Sequence, residues 1–205
     1  MAHVSVADPT GLVLSHGVFG RPFAGEHRSG DATWIVERED GGVRAALLDV
    51  AGHGPEASRV VDRIRASGIV AAAPDPVALG RGLHALLRGH RGAALAILDL
   101  DPRTGESVWL AVGGIHARIL GAASSGVRVQ PGLVGEHLPN LVPTRYRVRP
   151  GDTLVLASDG ISARGLDGLD PRALYAAPTQ LARSIVTHHG RAHDDATCLV
   201  ISVLR

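Results

Sequence analysis

An apolar run, Ala45 to Leu48, stops at Asp49 and is followed within five residues by two glycines, Gly52 and Gly54. The run reads as a buried β-strand, and the glycines let the chain turn tightly with its backbone exposed. Pro55 and Glu56 then suit the first turn of a helix. One carboxylate is thus held at the carboxyl end of a buried strand, beside a glycine turn and a helix N-terminus. That setting suits a metal ion or a phosphate.

Two later stretches repeat the design. Thr153 to Ala157 is apolar and ends in Ser158-Asp159-Gly160, while Asp194-Asp195 precede the apolar run Ala196 to Ile201. If neighbouring strands run antiparallel, one strand's exit and the next one's entry share a sheet edge. Carboxylates meeting there repel one another unless cations lie between them. Hard oxygen ligands without a Cys/His cluster favour Mg²⁺ or Mn²⁺ over zinc.

The remaining pattern is α+β. A strand is expected over Leu12–Phe19, with Val18 and Phe19 assigned to the core. Further strands are expected over 32–37, 43–49, 93–100, 107–112, 115–120, 127–130, 145–148 and 196–204. Ala57, Val60, Val61, Ile64 and Gly68 recur at helical spacing, and Asp75-Pro76 opens a second helix that runs to Gly89. Helices are also expected over 171–176 and 179–189, and Pro131 to Thr144 reads as a surface loop.

Composition narrows the class. The chain has 205 residues, enough for one domain (1–205) with a sizeable core. Only six residues are aromatic against 45% apolar overall, so Ala, Val, Leu and Ile must fill that core. A net charge of +1, with arginine as the only strong base, gives no case for nucleic acid or membrane partners. The absence of lysine excludes a Walker-type nucleotidase. Cys198 stands alone in an apolar strand, which fits a buried inert thiol. No apolar run approaches about 18 residues and no signal peptide is evident, so a cytoplasmic monomer is expected.

Asp49-Val50-Ala51-Gly52-His53-Gly54, Ser158-Asp159-Gly160 and Asp194-Asp195-Ala196-Thr197, in this order, resemble the PPM-type (type 2C) metal-dependent Ser/Thr protein phosphatases. Gly25-Glu26 with Ser29-Gly30-Asp31, and Val112-Gly113-Gly114-Ile115, resemble further motifs of the SpoIIE-like branch. The resemblance implies a four-layer αββα sandwich of two mainly antiparallel sheets flanked by helices. It implies two Mn²⁺ or Mg²⁺ ions held by Asp49, Asp159, Asp194 and the Val50 carbonyl, with Asp31 binding directly or through water. Asp49, Asp159, Asp194 and His53 become the catalytic candidates. His53 is either an acid toward the leaving group or a brace for its turn. Asp195 stands behind the ligands or as a minor one, and Arg28 is a candidate grip on the phosphate.

The implied substrate is phosphoserine or phosphothreonine on a protein. A bare catalytic domain of this size resembles the feedback phosphatases of bacterial stress-signalling complexes, which act on phosphorylated STAS-domain proteins. The alternatives are a phosphatase of a phosphorylated anti-anti-sigma factor and an inactive member that only binds a partner.

Overall fold

The computed structural model describes residues 4–5, 11–122 and 124–204. The chain runs β1 (Val4–Ser5), β2 (Leu14–Arg21), β3 (Asp31–Glu37) and β4 (Val43–Val50), then α1 (Gly54–Ser67), α2 (Ile69–Ala72) and α3 (Pro76–Leu87). Strands β5 (Ala93–Leu100), β6 (Glu106–Val112), β7 (Ile115–Leu120), β8 (Ser125–Gly126), β9 (Val129–Gln130), β10 (Thr144–Arg147) and β11 (Thr153–Ser158) follow. The chain closes with α4 (Ala163–Asp167), a 3₁₀ turn (Pro171–Tyr175), α5 (Pro178–His189) and β12 (Ala196–Val203).

Two six-stranded sheets result. One has the order β1-β2-β12-β11-β7-β8; the other runs β10-β6-β5-β4-β3, with β9 beside β6. Every pairing is antiparallel except β6 with β9. The unbroken apolar runs have a physical reason, because the central strands are buried on both faces. Ala45 and Leu47 of β4 face the opposite sheet, meeting Leu154 and Leu156 of β11 in one cluster with the fully buried Trp109. Ala46, Leu48 and Val50 face the other way, onto Val60, Val61 and Ile64 of α1 and Leu79, Leu83 and Leu87 of α3. Val155, Ala157 and Cys198 likewise meet Leu181, Ala182, Ile185 and Val186 of α5. The four expected layers are therefore present.

Several local expectations change. Gly68 belongs to no apolar face; at φ +65° it stops α1, its N–H donating to the Arg65 carbonyl. Val18 is exposed, and Phe19 is only half-buried, with the Arg183 guanidinium over its ring. Of the strand expected over 127–130 only Val129–Gln130 forms, beside β6, while Ser125–Gly126 just before it pair with β7. Residues 163–167, outside the helices expected from the sequence pattern, form α4. The 131–144 stretch is anchored to the body. Val134 exchanges two backbone hydrogen bonds with Ala93, the Gly135 N–H donates to His84 Nδ1, and Leu141 is buried against Gly80.

Candidate active site

The acidic strand ends meet at one mouth of the sandwich. Asp31 begins β3 and Asp49 nearly ends β4, and the antiparallel register sets them directly opposite each other. Both continue the alternation that faces the opposite sheet, where β11 ends at Ser158. The Ser158 hydroxyl donates to Asp31 Oδ2 at 2.8 Å and accepts from the Thr197 N–H at 3.0 Å, so one side chain ties β3, β11 and β12. The Asp159 backbone N–H donates to the Asp49 carboxylate. Gly114, in the turn before β7, leaves the room that the Asp159 carboxylate occupies; a Cβ there would lie 2.7 Å from Asp159 Oδ2.

Backbone at the turn after β4 is fixed from two sides. The Ala51 N–H donates to the Gly92 carbonyl and the Ala51 carbonyl accepts from Arg91 Nη1, both at 2.9 Å. The Val50 carbonyl shares a planar peptide unit with the Ala51 N–H, so fixing one fixes the other, pointing away from Gly92. Arg91 also pairs with Glu56 in the first turn of α1. The turn that carries Asp194, between α5 and β12, is held by Arg21 at the end of β2, which donates to the carbonyls of Arg191 and, at 3.2 Å, Asp194. His116 of β7 donates Nε2–H to the Ile161 carbonyl at 3.0 Å, bracing the turn after Asp159. Burial lowers the pKa of that imidazole and keeps it neutral.

The electrostatics follow from the crowding. Burial pushes the Asp31 carboxyl well up from its ordinary range, and the Ser158 hydrogen bond only partly offsets this. Asp49 is raised further, by burial and then by Asp31 and Asp159. Asp194 is raised by burial and by Asp159. Asp31 Oδ1 is buried with no hydrogen-bond partner. Among the described residues no three Asp, Glu, His or Cys side chains close around one point as a finished metal cage. What the fold gathers is an open group of mutually repelling carboxylates with an orphaned oxygen, a set that divalent cations would satisfy.

Asp195, left between two roles by sequence, stands behind this group and spends both carboxylate oxygens on backbone. Its Oδ1 accepts from the Phe23 N–H and its Oδ2 from the Gly30 N–H, both at 2.7 Å, which anchors both ends of the β2–β3 segment. Arg28 is turned to α1, where it pairs with Asp62 at 2.7 Å in an exposed contact. His53 lies under the same segment: the Phe23 ring stacks on it with centroids 4.1 Å apart, and Glu26 Oε1 is 3.4 Å from Nδ1. Cys198 is fully buried with its thiol pKa pushed up by burial, so it offers no nucleophile. His188 at the end of α5 bonds the Ser184 carbonyl at 2.8 Å, a helix-end contact.

Two β-sheets face to face, helices outside, and acidic strand ends at one mouth define a PP2C-type fold. Residues 39–204 match the family model described as Stage II sporulation protein E (SpoIIE), and the chain belongs to that family of protein serine/threonine phosphatases. A chain from work on the bacterial stressosome, described as a modular system adapted to control secondary messenger signalling, is 32% identical. It has a TM-score of 0.83 over 92% of this chain and 98% of that one. RsbX in complex with magnesium is 15% identical, with a TM-score of 0.79 over 99% and 100% of the two chains. The phosphatase domain of SpoIIE from Bacillus subtilis, solved with a fragment of its regulatory domain, is 18% identical, with a TM-score of 0.76 over 100% of this chain and 69% of that one. Comparison with curated protein sequences gives no match.

Proposed function

We propose that this chain is an RsbX-like phosphatase that removes phosphate from serine or threonine of STAS-domain proteins in a bacterial stress-signalling complex. The carrying observation is the register pairing of Asp31 with Asp49 beside Asp159 and Asp194, with Asp31 Oδ1 left unpartnered. Asp49, central to the group and repelled by Asp31, Asp159 and Asp194, would be the principal metal ligand. Asp159, Asp194, Asp31 and the Val50 carbonyl would complete the protein ligands. Two Mg²⁺ or Mn²⁺ ions, when bound, supply Lewis acidity toward the phosphoryl oxygens and a nucleophile at neutral pH. The protein's part is to hold the carboxylates and the Val50 carbonyl rigidly, through Ser158, the Asp159 N–H, Gly92 and Arg91. His53 would protonate the serine oxygen as it leaves.

The 32% identity to a chain from a stressosome study and the RsbX-like fold support this choice of substrate. No helix among the described residues is long and apolar enough to cross a membrane. We place the whole chain, 1–205, as one phosphatase domain acting as a cytoplasmic monomer. A phosphoprotein substrate covers an area on the order of 800 Å² per partner, which a short peptide lacks. With manganese present, kcat/KM for a phosphorylated STAS-domain protein should therefore exceed that for a phosphopeptide cut from it. Equal values would overturn the assignment. Preference for a phosphorylated anti-anti-sigma factor over a stressosome STAS protein would make the enzyme RsbU-like.

A further inference from the structure

The segment between β2 and β3 does more than deliver Asp31. Its two ends are fixed by Asp195, and between them Phe23 and Glu26 close on His53 from different sides. The Phe23 ring lies 10° from parallel to the imidazole. The Glu26 N–H donates to the Phe23 carbonyl at 2.9 Å, so the two residues form one turn. A carboxylate only accepts, so the contact with Glu26 Oε1 puts a hydrogen on His53 Nδ1. Nε2 is left as the ring nitrogen free to meet a substrate. Glu26 reaches this position only because residue 54 is glycine: a Cβ there would lie 2.6 Å from Glu26 Oε1. Gly54 also holds φ +73°, a conformation that favours glycine. His53 itself makes no side-chain cap to α1, so the turn does not need its imidazole for capping.

We propose that Phe23 and Glu26 are positioning residues that hold His53 with Nε2 presented to the leaving oxygen of a phosphoserine, an inference that rests on the phosphatase reading above. A water oxygen bonds to phosphorus and the bond from phosphorus to the serine oxygen breaks. The electron pair of that bond stays on the serine oxygen, which takes the Nε2 proton of the doubly protonated ring and leaves the tautomer with its hydrogen on Nδ1 beside Glu26. The water gives up one proton to solvent, from which His53 is reprotonated, and the products are serine and inorganic phosphate. A nitrophenolate leaves without a proton, whereas a serine alkoxide needs one.

The ratio of kcat/KM for the phosphoserine protein to kcat/KM for p-nitrophenyl phosphate, at equal manganese, isolates the proton. Glu26→Gln and Phe23→Ala should each lower that ratio by about tenfold or more, within the range that general acid catalysis contributes. Phe23→Tyr, which keeps the stacked ring, should restore it. In a His53→Ala background, Glu26→Gln should cause no further fall, because its effect passes through the imidazole. An unchanged ratio in Glu26→Gln, an isosteric change that preserves packing, overturns this proposal and leaves the phosphatase reading standing. So does an equal fall with and without His53. A wild-type protein that hydrolyses neither substrate overturns the phosphatase reading, and this one with it.

Discussion

Asp31 and Asp49 stand directly opposite each other on β3 and β4, two carboxylates in register in the mouth between the sheets. A sheet gains nothing from such a pair, since like charges placed across a ladder destabilise it. The arrangement makes sense as an electrostatic debt that a cation cancels. Calorimetric titration of chelator-treated protein with Mn²⁺ should show binding that disappears in Asp49→Asn. Without metal, the same substitution should stabilise the fold, because it removes a buried carboxyl repelled by Asp31 and Asp159. A gain on the order of 1 kcal/mol corresponds to about 2–4 °C in Tm at this chain length. A metal-free variant that melts below wild type would contradict the repulsion argument.

The same crowding sets a pH dependence for the metal-free protein. The folded-state pKa of Asp31 is raised to about 7 and that of Asp49 to about 9, from 3.8 in the unfolded chain. The folded protein therefore holds more protons than the unfolded one between these values. Stability is fully present below pH 3.8 as far as these two groups are concerned, and it falls as pH rises through about 7 and then 9. Thermal melts in chelator should show Tm decreasing from pH 5 to pH 9, and Mn²⁺ should remove most of that slope. A Tm that rises across the window would refute the assignment of the shifts.

Much of this was legible in the sequence, for identifiable reasons. Apolar runs with a carboxylate at one end mark strands buried on both faces, and their order brings Asp31, Asp49, Asp159 and Asp194 to one edge. The braces were not legible. Ser158, Arg91, Arg21 and His116 act through contacts between elements far apart in the chain, and no local pattern announces a side chain aimed at a distant carbonyl. Asp195 shows the difficulty best. It neighbours Asp194, yet both of its carboxylate oxygens are taken up by the distant N–H groups of Phe23 and Gly30. Val18 failed as a core residue because apolar character gives the face of a strand but not whether that end is covered.

The acidic pair should therefore divide cleanly under mutation. Asp195→Ala leaves two backbone N–H groups without their carboxylate, one of them buried, at a cost of about 1–3 kcal/mol for the buried donor. It should also lower activity by loosening the segment that carries Asp31. Asp194→Ala removes a partly exposed, repelled carboxyl and should leave Tm unchanged or higher in chelator while losing metal-dependent turnover. Urea melts and phosphatase assays on both variants check this. A destabilised Asp194→Ala beside a stable Asp195→Ala would reverse the roles assigned here.

The opposite end of β4 supplies a control for structure without chemistry. Arg44 is 1% exposed, and its Nε and Nη2 each donate to the Asp99 carboxylate of β5 at 2.6 Å. Nη1 donates to the carbonyls of Val70 and Ala73, at 3.0 and 2.7 Å, which fastens α2 to the sheet. Arg38 joins Asp99 from β3's far end at 2.9 Å. Asp99→Ala would leave the buried Arg44 guanidinium uncompensated, at a cost of roughly 3–5 kcal/mol. At about 2–4 °C per kcal/mol, Tm should fall by on the order of 10 °C. Arg44 lies five residues from Asp49, about 17 Å along the strand. Turnover measured with saturating Mn²⁺ below the lowered Tm should therefore stay within about twofold of wild type, a difference of roughly 0.4 kcal/mol. A variant that keeps its Tm would show that the pair is not what holds α2. A variant that stays folded but loses turnover would show that the two ends of β4 are coupled.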